Sequence, residues 1–268
     1  MNKTNIAWTD YTWNPITGCT AVSDGCKNCY AKIVHERFND APFSEIVFHE
    51  DRLADPYKKK KGVKIFVGSM TDLFQDGVNY DWVYKIWIVM IENPQHTFQI
   101  LTKRPEAMKD FLLNYAPVPA MTGYTYGKDY LPKNIHIGVT AENQKEADAR
   151  IPILLDVPAA KRFVSIEPMI DKIELTTLIN EEKNIVISSL SGRVYPLADN
   201  KQTESIDWVI VGGESGTKSD VREMKVEWVQ KIYDDCRAND VPFFFKQWGA
   251  HKPEGVGTYI FEKVQEML

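Results

Sequence analysis

Three cysteines, Cys19, Cys26 and Cys29, stand within eleven residues of one another in a C-x6-C-x2-C spacing. Thiolates at that density suit a zinc ion or an iron–sulfur cluster, both of which accept sulfur ligands readily. Three thiolates leave one iron of a four-iron cluster without a cysteine, open to the amine and carboxylate groups of a small molecule. Gly18 and Gly25 sit beside two of the cysteines. There the lack of a Cβ lets the backbone wrap closely around a bulky ligand. The alternative is a zinc site completed by the distant Cys236 or by His35, six residues past Cys29. A four-cysteine zinc site ordinarily pairs two C-x-x-C halves, and Cys236 has no such neighbour. Unrelated buried thiols are the remaining reading.

A second set of polar residues follows short, nearly continuous apolar runs. Lys64 to Gly68 leads into Ser69, Met70, Thr71 and Asp72. Thr97 to Leu101 leads into Lys103 and Arg104, and Asn134 to Val139 into Thr140, Glu142 and Asn143. Arg162 to Ile166 carries Ser165 and leads into Glu167 and Pro168. Asp207 to Val211 leads into Gly212, Gly213, Glu214 and Ser215, and Val241 to Phe245 into Lys246, Gln247 and Trp248. Lys103 and Arg104 suit phosphate or carboxylate recognition, or surface ion pairing. Glu142 and Asn143 suit ribose hydroxyls, or the cap of the following helix. Ser165 and Glu167 suit cofactor or substrate. Gly212 and Gly213 suit a tight turn, or Gly213, Glu214 and Ser215 suit substrate contact. Lys246 to Trp248 offer a cation, an amide and a ring that stacks on a planar ligand or fills core.

Elements must hold these residues in place. Apolar runs without alternation are strands buried on both faces, as in a parallel sheet. Helical spacing over Asp81 to Glu92 and Val226 to Asn239 separates some of them, a β-then-α rhythm. With Ile6 to Trp8 as a first strand there are about seven such units. The expected fold is therefore α/β, a (β/α) TIM-type barrel or partial barrel forming a single domain over 1–268. Ile173 to Ser205 reads as a small inserted β-hairpin, and Ala116 to Lys133, rich in Pro, Gly and Tyr, as a long loop. Parallel strands release their chains at one face, so Lys103, Glu167, Glu214 and Lys246 are expected to converge there as catalytic candidates.

The bulk properties set limits. The chain has 268 residues and a formal net charge of −5, which argues against a generally basic nucleic-acid surface and leaves room for a local patch. No long apolar run suggests a membrane span, and Met1 to Asp10 lacks the apolar core of a signal peptide. A cytoplasmic location without membrane contact is the expectation, and disulfides are disfavoured there.

The three-cysteine loop after an N-terminal strand resembles the radical-SAM superfamily. The usual spacing there is C-x3-C-x2-C with an aromatic residue before the last cysteine; here six residues intervene first and Tyr30 follows the last cysteine. Over nearly its whole length the chain also resembles a phage- and bacteria-encoded radical-SAM-like family, through WTDYTWNPITGC, GCKNCYA, FVGSMTDLF, LTKRPE, GVTAEN, SIEPM, VGGESG and PFFFKQWG. The resemblance implies a radical-SAM-like barrel and a [4Fe–4S] cluster on Cys19, Cys26 and Cys29. It also implies S-adenosylmethionine as cofactor and a reductant protein such as flavodoxin or ferredoxin. Such an enzyme cleaves the sulfonium and abstracts hydrogen from its substrate. That substrate is unknown, with a nucleotide or nucleic acid suggested by the phage occurrence.

In that superfamily a Gly-Gly-Glu strand end after the second strand helps to hold the cofactor amine. Here Gly212-Gly213-Glu214 follows about the sixth strand, so Ser69, Met70 and Thr71 are the positional candidates for the amine. Thr140, Glu142, Asn143 and Ser165 are the further cofactor-facing candidates. The competing expectation is a zinc-binding structural or interaction module without catalysis, and a third is a degenerate fold that keeps the cluster alone.

Overall fold

The computed structural model of the chain describes residues 1–116, 132–181, 183–196 and 202–268. In chain order the elements begin with β1 (Asn2–Lys3), β2 (Tyr11–Trp13), β3 (Ile16–Thr17), α1 (Tyr30–Phe38), β4 (Val47–Phe48), β5 (Lys64–Val67) and α2 (Tyr80–Glu92). They continue with β6 (Thr97–Thr102), α3 (Pro105–Asn114), β7 (Ile135–Thr140), α4 (Gln144–Asp156) and β8 (Lys161–Ile166). The last are β9 (Leu178–Asn180), β10 (Ile185–Ser188), β11 (Arg193–Tyr195), β12 (Trp208–Gly212), α5 (Val226–Ala238) and β13 (Phe243–Gln247). The fold is α/β with a mostly parallel sheet, as the unbroken apolar runs require. The chain divides into two compact units, one of Met1–Val22, Ala31–Gly138 and Val157–Lys161, the other of Ser23–Tyr30, Val139–Asp156 and Arg162–Leu268.

In the first unit β2, β5 and β6 pair in parallel, and β1 adds antiparallel to β2. Ile65, Phe66 and Val67 are all buried, as a strand covered on both faces demands. Asn79 caps α2 by accepting from the Asp81 amide at 2.8 Å, and the helix buries Val83, Ile86, Trp87, Val89 and Met90. The expected strand at Ile6 to Trp8 does not form. The Thr9 amide turns back to the Ile6 carbonyl at 3.2 Å, and the buried Trp8 ring packs on Phe66 at 4.8 Å. The chain joins the parallel sheet later, at β2, whose Trp13 is fully buried with its indole N–H on the Arg52 carbonyl at 2.8 Å.

In the second unit β8, β12 and β13 pair in parallel, and all five residues of β12 are buried. Helix α5 buries Val229, Ile232 and Cys236 along one face. Within 173–205 the expected hairpin forms as the antiparallel pair β10 and β11, and β9 adds a third strand on the other side of β10. The loop expected over 116–133 falls, at 117–131, outside the described residues. Among the described residues no helix is long and apolar enough to cross a membrane.

Candidate metal loop and its supports

The first limb of the cysteine loop, through Gly18, Cys19 and Thr20, lies on the chain that leaves β5. Gly18 has φ +96°, and an added Cβ would stand 2.0 Å from the Glu45 carbonyl oxygen. Its amide donates to the Met70 carbonyl at 3.1 Å, and the Cys19 amide to the Phe43 carbonyl at 2.8 Å. The Gly18 carbonyl accepts from Thr71 Oγ1 at 2.7 Å and Gln75 Nε2 at 2.6 Å. Arg104 reaches the Thr20 carbonyl at 3.0 Å and Thr20 Oγ1 at 2.8 Å.

Asp72 organises this arrangement from a buried position. It accepts from Thr102 Oγ1 at 2.7 Å, the Lys103 amide at 2.9 Å, the Phe74 amide at 3.0 Å and Arg104 at 3.1 Å. A buried carboxylate is tolerable when its lone pairs are met this fully.

The second limb, Ser23 to Tyr30, belongs to the other unit and is held there by carboxylates from strand ends. Glu142, fully buried just past β7, accepts from the Ser23 hydroxyl and from the Gly25 amide at 3.2 Å. Arg150 of α4 closes on Glu142 at 2.8 Å, on the Thr140 carbonyl at 2.8 Å and on Glu146 at 2.5 Å. Past β12, Glu214 takes the Arg222 amide at 2.8 Å and Nε at 3.0 Å, and pairs again with the Arg222 terminal nitrogen. Burial pushes the Glu214 carboxyl up, but the Arg222 hydrogen bonds outweigh it and hold the group below its ordinary range. Glu214 in turn raises Arg222. Arg222 also donates to the Asp24 carbonyl at 3.0 Å, and Asn28 to the Asp220 carbonyl at 2.8 Å.

Both loop glycines thus serve contacts with protein. Gly18 admits the Glu45 carbonyl, and a Cβ on Gly25 would meet the Glu142 carboxylate at 2.9 Å. Cys19, Cys26 and Cys29 are half-buried thiols outside any disulfide, whereas Cys236 is buried in α5. Burial pushes the Cys236 thiol up to about 12, so it stays protonated and makes a poor metal ligand. His35 Nε2 lies 2.9 Å from the Ala41 carbonyl, and its ring packs on Phe43. Among the described residues no three metal-capable side chains are grouped closely enough to hold an ion. Cys19 lies in the first unit and Cys26 and Cys29 in the second; by chemistry alone, three thiolates are a donor set of the kind iron–sulfur clusters take.

The structure brings Glu167 and Lys246 together as an ion pair at the ends of β8 and β13, both partly buried. Glu214 faces Arg222 instead, and Lys103, in the first unit, uses its amide on Asp72. Ser69 and Asn14 share side-chain hydrogen bonds at 3.0 and 3.2 Å, and the Met70 amide donates to Asn14 at 3.1 Å. With Thr71 on Gly18, the three amine candidates support the loop. Thr140 and Ser165 are buried. Asn143, not Glu142, caps α4, accepting from the Glu146 amide at 3.0 Å.

Gly213 is required by the Trp248 carbonyl, 2.0 Å from where its Cβ would stand. Trp248 is core: its ring packs on Phe245 and Phe261, and its N–H donates to Glu262 at 2.5 Å. Sequence reasoning gave no role to Asp72, Gln75, Arg150 or Arg222. The one available signal was polar side chains, Asp72 and Gln75, interrupting the apolar stretch around Leu73 and Phe74.

The family described as "Protein of unknown function (DUF5131)" matches residues 3–266. A search of curated proteins gives no match. Among solved structures, spore photoproduct lyase complexed with dinucleoside spore photoproduct superposes with a TM-score of 0.54 at 12% identity, covering 93% of this chain and 78% of that one. A mutant of that lyase with the same ligand gives 0.52 at 12% identity over the same shares. The likeness is one of fold alone, an α/β arrangement with a mostly parallel sheet.

Proposed function

This chain belongs to the DUF5131 family, and we propose that it is a radical-SAM enzyme holding a [4Fe–4S] cluster on Cys19, Cys26 and Cys29. The observation that carries the reading is a three-thiol loop, braced on both limbs, in a fold resembling that of spore photoproduct lyase. Cluster and S-adenosylmethionine together would supply one-electron cleavage of a sulfonium and hydrogen-atom abstraction from the substrate. The electron comes from a reductant protein of the flavodoxin or ferredoxin class.

The chain's own residues bind and orient. Gln75, Thr71 and Arg104 fix the Cys19 limb; Glu142 and Arg222 fix the limb of Cys26 and Cys29. Ser69 and Met70 act here as loop supports through Asn14. The Glu167–Lys246 pair is the substrate contact, its ammonium suited to a phosphate and its carboxylate to a hydroxyl. The related fold is solved with a dinucleoside photoproduct, and a nucleotide or short nucleic acid is the substrate class proposed for this chain.

The test is anaerobic incubation of the iron-loaded chain with S-adenosylmethionine and dithionite. The reading expects 5′-deoxyadenosine and methionine in equal amounts, lost in each single Cys→Ala variant of the three. An iron-loaded chain that neither binds nor cleaves S-adenosylmethionine overturns it.

A further inference from the structure

Between Ala21 and Tyr30 only Gly25 is buried, and it has no side chain. The limb that carries Cys26 and Cys29 therefore has almost no apolar area with which to hold its place, since burial stabilises in proportion to the apolar surface removed from water. Its secondary structure before α1 is one short turn, Asp24–Cys26. Position must come from polar anchors, and one of these is unlike the rest. The Asp220 carbonyl, which accepts from Asn28 of the limb, and Arg222, which donates to the Asp24 carbonyl, hold it from exposed or partly exposed positions, whereas Glu142 is wholly buried and takes two donors from it, the Ser23 hydroxyl and the Gly25 amide.

We propose that Glu142, neutralised by Arg150, is a positioning residue that sets the backbone of the Cys26–Cys29 limb for metal ligation. The physical case has three parts. A buried carboxylate is costly without a counter-charge, and Arg150 supplies one at 2.8 Å while its other nitrogen engages Glu146. The pair is tied to the sheet, because Arg150 also donates to the carbonyl of Thr140, the last residue of β7. And the approach needs a glycine: a Cβ on residue 25 would press on the carboxylate at 2.9 Å. The strand end thus dictates the loop's shape one residue before Cys26. The purpose of this clamp rests on the cluster reading above, but the clamp is testable without iron.

The four cysteines are their own reporters. In the metal-free chain, Cys26 and Cys29 report the second limb, Cys19 the first, and the buried Cys236 global opening. Alkylation of each thiol is followed by peptide mass spectrometry in the native chain and in Glu142→Gln and Ser23→Ala. The clamp predicts that Cys26 and Cys29 react about tenfold faster in both variants, the effect of one lost buried hydrogen bond, with Cys19 and Cys236 unchanged. If Glu142→Gln exposes all four thiols, Ser23→Ala decides, since it removes one donor and leaves the Glu142–Arg150 pair whole. A selective rise at Cys26 and Cys29 supports the clamp; equal rises at all four in Ser23→Ala, or no rise, overturn it. In iron-loaded protein the same variants should lose iron to a chelator faster than wild type. Wild-type protein that takes up no iron would sink the cluster reading and leave the alkylation result standing on its own.

Discussion

Gln75 brackets Cys19: its Nε2 donates to the carbonyl of the residue before, Gly18, at 2.6 Å, and its Oε1 accepts from the amide of the residue after, Thr20, at 2.9 Å. One buried side chain thereby fixes the peptide planes on both sides of a thiol. Gln75→Ala should cost about 1–3 kcal/mol, because two backbone groups lose their partner in a site with little water. Urea denaturation reads the cost, and the iron retained per chain should fall with it. A variant with full stability and full iron content would remove Gln75 from the account.

Asp72 carries the larger energetic risk. Asp72→Ala leaves Arg104 without its counter-charge and the Thr102 hydroxyl and Lys103 amide without their acceptor. Breaking a largely buried pair costs about 3–5 kcal/mol. Asp72→Asn keeps an acceptor oxygen and should lose clearly less. Equal losses in the two variants would show that the charge, not the acceptor, is what matters there.

The Glu214–Arg222 pair gives a pH dependence. The Glu214 carboxyl lies below its ordinary value of 4.5 in the folded chain, because the Arg222 hydrogen bonds outweigh the cost of burial. A carboxyl depressed on folding contributes stability that is present above the unfolded value and lost as pH falls through the folded one. Wild type should therefore lose stability below about pH 4.5 more steeply than Glu214→Gln, with the two curves parallel above that pH. Curves that stay parallel down the acid limb would contradict the pairing.

Cys236 separates the two metal readings. Buried in α5 with its thiol pushed up to about 12, it is a small apolar group in all but name. Cys236→Ala should cost only about 1–2 kcal/mol for the missing sulfur and should leave metal content unchanged. Loss of metal in that variant would favour a four-cysteine zinc site.

The sequence made the frame legible because parallel strands buried on both faces leave unbroken apolar runs: the runs at 64–68, 97–101, 134–139, 162–166, 207–211 and 241–245 all became strands. Ile6 to Trp8 misled because three apolar residues are too few to fix a strand: Ala7 is exposed and Trp8 alone is buried, against Phe66. The cysteines were legible because metal ligation is written in local spacing. Their supports were not. Asp72, Gln75, Arg150 and Arg222 matter through partners fixed only when the chain folds, such as Gly18 for Gln75, 57 positions apart. Glu142 and Glu214 stood out as polar residues at strand ends, where both ligand contacts and loop braces occur. Only the positions of Arg150 and Arg222 show that their carboxylates are engaged with protein.

Iron and acid-labile sulfide content, measured after anaerobic reconstitution, tests the central claim most directly. The account predicts about four irons and four sulfides per chain, with a brown colour lost in each of Cys19→Ala, Cys26→Ala and Cys29→Ala and retained in Cys236→Ala. A colourless chain with one tightly bound zinc, or a cluster that survives loss of any of the three thiols, would contradict it.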